Sequence, residues 1–180
     1  MIQTADELFQ STLLWLQMNY SSSRFFLERD IVWAVQNHII KLITEHNLPY
    51  KVFNDYPILP APRKWLVDLV ILDNHDCVEV AAEFKYEPSH NRSGNDIWPT
   101  KVRPSVVFWE EGVGNDISRI QTIVVEGKAK VAYSIFVDED GHFQKRSPHP
   151  GSEWVEWANG VQVLYSRVEA IPSTIRLPRS

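Results

Sequence analysis

Residues 65–86 read WLVDLVILDNHDCVEVAAEFKY, and this stretch decides the fold. Two runs rich in Val, Leu, Ile and Phe flank Asn74-His75, and each has the composition of a β-strand. The first run is largely apolar on both alternate faces, as in a strand covered on both sides of a sheet. Asp68, Glu83 and Lys85 interrupt that lining. A charge so placed is costly unless it is paired or binds a metal.

If Asn74-His75 is a two-residue turn, Asp73 faces Asp76, Asp68 faces Ala81 and Leu66 faces Glu83. Asp68 and Glu83 are then diagonal neighbours on one face, with Cβ atoms about 6–8 Å apart. Lys85, two residues past Glu83, points to the same face. Two carboxylates at that range can share a divalent ion, and the small Ala81 leaves room beside Asp68. They also repel, so Asp68→Ala is expected to stabilise the metal-free protein. Val78, Val80, Ala82 and Phe84 make the opposite, apolar face. Glu79 shares the charged face as a solvated residue toward the turn. A one-residue slip in register would separate Asp68 from Glu83. The competing reading is a buried Asp–Lys or Glu–Lys pair of purely structural role.

This arrangement resembles the PD-(D/E)xK nuclease superfamily, the restriction-endonuclease-like fold, over roughly residues 24–139. There an Asp on one strand and a Glu/Asp-x-Lys on the next, antiparallel strand bind magnesium. The matching residues are Asp68 and Glu83-Phe84-Lys85, with Val67 in place of the Pro. The resemblance implies catalytic roles for Asp68, Glu83 and Lys85. It implies magnesium, with manganese as substitute, held by Asp68, Glu83 and the backbone carbonyl of Phe84. It further implies a Glu from the first core helix and, in some members, a Gln from the helix after the Glu-x-Lys strand. Glu28 and Gln121 are the candidates.

With 180 residues, 44% of them hydrophobic, the chain is long enough for one domain with a sizeable core. Seven Trp argue against disorder. A net charge of -5 excludes a basic polyanion-binding module but suits a nuclease whose ligands are carboxylates. The single Cys77 excludes a disulfide framework and a cysteine zinc site, and reads as a small core residue on a strand. The six His show no metal-binding spacing, and there is neither a phosphate-binding Gly loop nor a nucleophile elbow. MIQTADELFQ lacks the features of a signal peptide, and no segment approaches a membrane span, so the cytoplasm is the expected compartment.

In chain order, residues 4–19 read as a helix with Thr4 and Glu7 as a capping box. This helix is expected as an N-terminal extension of about residues 1–22. Ser22 or Ser23 is expected to cap a second helix over 25–45. On it Val32, Val35, Ile39 and Leu42 form one apolar stripe that extends back to Glu28. That placement favours a role at the site, and the alternative is a charge favoured by the helix N-terminus. Asp30, off the stripe, reads as a surface residue. Residues 50–58 suggest a strand, in which Asp55 is a turn or edge residue or an extra ligand.

Residues 87–104, EPSHNRSGNDIWPTKVRP, form a loop that leaves from the Glu-x-Lys strand. Its Arg92, Lys101 and Arg103, with Trp98 among them, are candidates for nucleic-acid contact, against a plain solvated loop. Asn115-Asp116 is expected to cap a helix over 117–126, on which Gln121 shares a face with Ile117 and Val124. Residues 130–138 should return as a strand parallel to the Glu-x-Lys strand. Strands follow near 152–157 and 161–167, and a tail begins near Pro172.

The expected fold is α/β in the α+β sense, a mixed central sheet flanked by helices on a restriction-endonuclease-like core. The expected function is magnesium-dependent hydrolysis of phosphodiester bonds in nucleic acid, DNA in preference to RNA, with no membrane partner and with room for a homodimer. The alternative is a catalytically silent nucleic-acid- or protein-binding module on the same fold.

Overall fold

A computed structural model of the chain describes residues 2–59, 65–89, 111–157 and 160–170. Within them lie helices α1 (Ala5–Asn19), α2 (Glu28–His46) and α3 (Val113–Val125). The strands are β1 (Lys51–Pro57), β2 (Leu66–Leu72), β3 (Val78–Glu87), β4 (Val131–Asp138), β5 (Ser152–Glu156) and β6 (Gln162–Glu169). They form one mixed sheet in the order β1-β2-β3-β4-β6-β5. Only the β3–β4 pair is parallel, and α3 lies between those strands in sequence, as a crossover requires.

The sheet is covered on both faces. On one, Leu8, Phe9, Leu13 and Leu16 of α1 and Ile31, Val35 and Ile39 of α2 bury against Leu69, Ile71, Val80, Ala82, Phe84 and Tyr133. Phe9 meets the Phe84 ring edge-on at 6.5 Å and the Tyr133 ring at 4.6 Å. α1 is thus part of the main core. On the other face, Ile120, Ile123 and Val124 of α3 pack on Val70, Leu72, Ala81 and Ala132. This double cover explains the near-continuous apolar runs in β2 and β4.

Local signals set most boundaries. Thr4 Oγ1 accepts from the Glu7 N–H at 3.1 Å, and Glu7 Oε2 accepts from the Thr4 N–H at 3.2 Å, the expected capping box. α2 begins at Glu28, later than expected. Its start is fixed by Asp30, whose Oδ2 accepts from the N–H groups of Phe26 and Leu27 at 2.9 and 2.8 Å. Ser22 and Ser23 instead donate back to the Asn19 carbonyl. Asp30 therefore has a capping role that its position off the apolar stripe conceals. α3 starts at Val113, which carries Asp116 inside the first turn and away from a cap. Gly127, at φ 66, closes that helix in the left-handed conformation a glycine tolerates.

The β2–β3 hairpin is offset by two residues from the expected register. Leu69 faces Ala82, Val70 faces Ala81 and Ile71 faces Val80. One step comes from the loop, which has three residues. The Asp73 N–H donates to the Cys77 carbonyl at 3.0 Å, and Asp76 takes a left-handed φ of 59. Asp73 Oδ1 holds that loop by accepting from the N–H groups of His75 and Cys77. The second step is a bulge at Glu79, between the Leu72↔Val78 and Ile71↔Val80 pairs. Two steps of one residue restore the parity, so Asp68 and Glu83 stay on one face. Cys77 closes this loop just before β3 and is exposed, not a core residue on a strand.

Candidate functional site

The pairing of β2 with β3 ends at Leu69↔Ala82, although both strands run on. β2 stays with β1 as far as Pro57↔Leu66, and β3 stays with β4 as far as Glu87↔Asp138. The sheet therefore forks just where Asp68 would next face Glu83. In the fork the Phe84 N–H donates to Asp68 Oδ2 at 2.7 Å, so a side chain replaces the missing ladder bond. Lys85 Nζ donates to the Phe84 carbonyl at 3.1 Å, engaging the atom that the nuclease resemblance implies as a metal ligand.

Two helices close on the fork. From α2, Glu28 Oε2 lies 3.5 Å from Lys85 Nζ. From α3 come two residues that sequence reasoning did not assign to the site. Asp116 Oδ2 lies 3.3 Å from Lys85 Nζ, and Arg119 pairs with Glu83 Oε1 at 2.8 Å. Arg119 also donates to the Leu66 carbonyl at 2.7 Å and stands 5.5 Å over the Trp65 ring. Asp116 and Arg119 are three residues apart on one helical face. That spacing was visible, but the preference of Asp for helix starts competed with it.

Gln121 does not join the site. It is exposed and lies toward Gly151, because five residues from Asp116 turn the helix through about 140° relative to it. Ile117 and Val124, its expected face-mates, are buried. Arg92, Lys101 and Arg103 lie outside the described residues. Asp55 is exposed at φ 49 on the rim of the cleft that contains Asp68. Glu79 pairs with Lys130 at 2.6 Å away from the fork.

Among the described residues four carboxyl groups, Glu28, Asp68, Glu83 and Asp116, meet two cations, Lys85 and Arg119, so two of them have no cation of their own. The consequences follow from burial. Desolvation, with help from Asp68 and against Arg119, pushes the Glu83 carboxyl up to about 9. Glu28 is pushed up to about 7, again by burial first, with Lys85 opposing and Asp68 adding to the rise. Burial raises Asp116 as well, against Lys85. For Lys85, desolvation pulls the pKa down, but Asp116, Glu28 and Asp68 together raise it, so it is a firm cation.

Among the described residues no group of three or more His, Cys, Asp or Glu is arranged to hold a metal ion. The donors nevertheless suit a hard cation. Glu83 Oε1 and Asp116 Oδ2 are buried and ion-paired but make no hydrogen bond. Fully ionised, this all-oxygen set carries two surplus charges and suits magnesium or manganese.

Compared with models of known protein families and with curated proteins, the chain matches none.

Glu28→Gln tests whether the α2 carboxylate belongs to an ion site. In the parent protein, manganese affinity should rise as pH increases through about 7, where Glu28 loses its proton. The variant should keep only the rise that comes from Glu83 and bind about tenfold more weakly at pH 8, as when a supporting group is lost. Calorimetric titration at pH 6 and pH 8 measures both, and equal affinities in the two proteins at both pH values would make Glu28 a structural partner of Lys85.

Proposed function

We propose that this chain is a divalent-metal-dependent nuclease of the PD-(D/E)xK type on a restriction-endonuclease-like core. The observation that carries the reading is the fork: Asp68 and the Glu83-x-Lys85 strand flank the gap where β2 leaves β3, with Glu28 at its edge. Asp68 and Glu83 would hold the ion, with Glu28 in support. A bound magnesium or manganese ion lowers the pKa of its water and offsets charge on a phosphate. Lys85, kept cationic by Asp116, Glu28 and Asp68, donates to the negative charge that develops on the phosphate oxygens. Asp68, tied to the Phe84 N–H, has a fixed carboxylate orientation before any ligand arrives. Glu83 Oε1 is held by Arg119, so that oxygen can serve as a ligand only once Arg119 releases it.

The Arg119–Glu83 pair also favours a second reading, a silent module in which internal cations take the place of the ion. The two differ in metal linkage. The raised carboxyls of Glu28 and Glu83 add stability that is full below their unfolded value of 4.5 and is lost as pH rises through about 7 and about 9. The metal-free protein should therefore melt at lower temperature at pH 9 than at pH 5. Manganese should reverse this, raising the melting temperature at pH 8–9 and hardly at all at pH 5. Cleavage of plasmid and single-stranded DNA, with magnesium and with manganese, completes the test. No ion-dependent stabilisation at pH 9 and no cleavage would leave the silent module.

A further inference from the structure

The cleft beside the fork has a volume of ≈ 490 Å³ and is lined by Glu28, Asp68, Arg29, Trp33 and Leu27, among others. Trp33 is 65% exposed, although α2 buries its core face through Ile31, Val32, Val35 and Ile39. Among the described residues nothing stacks on its ring. The indole of Trp15 differs, since His38 covers it at 4.0 Å with the rings 6° from parallel. Nothing in helix formation calls for an aromatic residue at an outward position. With Leu27, 50% exposed on the same cleft, the bare indole makes a contiguous apolar face in water and not a lone surface residue.

Its neighbours indicate the partner. Arg29 stands four residues before Trp33, so the two share one helix edge on the same cleft. The cleft is acidic, with Glu28 and Asp68 in its lining and Asp55 on its rim, and it repels phosphates that enter without a cation. A neutral, flat nucleobase suffers no such repulsion. Bases within a duplex have their faces covered by neighbouring bases, whereas an unpaired base offers one for stacking.

We infer that Trp33 and Arg29 form a subsite for one unpaired nucleotide of single-stranded nucleic acid, Trp33 stacking on the base and Arg29 pairing with its phosphate. The inference rests on the nuclease reading of the adjoining Asp68/Glu83 centre and narrows its substrate to single strands or frayed ends. The affinity comes mainly from stacking and only weakly from charge.

Anisotropy of labelled oligothymidylate and of a blunt duplex of equal length, in calcium with the full chain, tests it. Trp33→Ala should weaken single-strand binding about tenfold, leave duplex binding alone and keep the salt slope of the parent. Trp33→Phe should restore most of the affinity. Arg29→Ala should instead reduce the salt slope by about 0.7 for one lost phosphate contact. Trp33 is exposed, so these variants keep the fold, as thermal melting verifies. Equal binding of both nucleic acids, no binding of either, or single-strand affinity untouched by Trp33→Ala overturns the subsite. Cleavage assays separate the two readings. Stacking-dependent binding without cleavage would keep the subsite and remove the nuclease, whereas cleavage indifferent to Trp33 would do the reverse.

Discussion

Asp68→Asn abolishes cleavage and leaves the fold standing, whereas Asp68→Ala loses both activity and stability: this is the expected result with the largest effect. On the proposed reading, removing the charge takes away one of two principal ion ligands. The loss in cleavage should reach about three orders of magnitude, the equivalent of several kcal/mol of transition-state stabilisation. Manganese binding should vanish with it in a calorimetric titration. Relief of repulsion with Glu83 argues that the alanine variant gains stability, but the hydrogen bond at 2.7 Å from the Phe84 N–H reverses the sign. Phe84 is buried, and an orphaned N–H there costs about 1–3 kcal/mol. Asparagine keeps an acceptor oxygen for that N–H while dropping the charge. Equal melting temperatures for the alanine and asparagine variants would show that the bond contributes nothing, and cleavage by either would place the ion elsewhere.

Lys85→Met should slow cleavage by about 100-fold, the loss expected when a donor aimed at transition-state charge is removed. Methionine preserves the apolar stem and drops the Nζ donor to the Phe84 carbonyl. The ion should bind somewhat more tightly, because a competing cation is gone. Glu28 loses its cation at 3.5 Å and Asp116 the nearer of its two, at 3.3 Å, in the same change, and their proton affinities should rise further. The metal-free variant should therefore show a steeper loss of stability toward high pH than the parent. Single-turnover cleavage beside manganese titration separates these effects. Undiminished cleavage would move the chemistry away from Lys85, and loss of ion binding would make Lys85 a scaffold for the carboxylates.

Features written in short-range chemistry were legible in the sequence. The capping box of α1, the apolar alternation of β3, the strand at Val131–Asp138 and the stripe that aims Glu28 inward each depend on residues a few positions apart. The charged residues of the hairpin stood out because they break an apolar run. Less legible were features settled by competition between local preferences and packing. Asp30 caps α2 from inside its first turn and moves the start past Ser22 and Ser23. Asp116 has the composition of a cap, yet the helix begins at Val113 and directs it to Lys85. Arg119 gave no signal of its own. Its partners, Glu83 and the Leu66 carbonyl, are far away in sequence, and only the packing of α3 on the sheet brings them together.

The paired offsets in the β2–β3 hairpin bear on which insertions and deletions this chain can survive. The third loop residue and the bulge at Glu79 each turn the remainder of β3 over, and together they turn it back. Straightening the bulge with Glu79 still in the chain would pair Val67 with Glu83, present Phe84 to the fork and drive Glu83 into the apolar layer under α1. Closing the loop on two residues with none removed would do the same. Deleting Glu79 outright instead leaves Ile71 opposite Val80 and Asp68 opposite Glu83, and so does deleting one loop residue. The hairpin thus survives the loss of either extra residue, but not a slip that keeps the residue and flattens its irregularity.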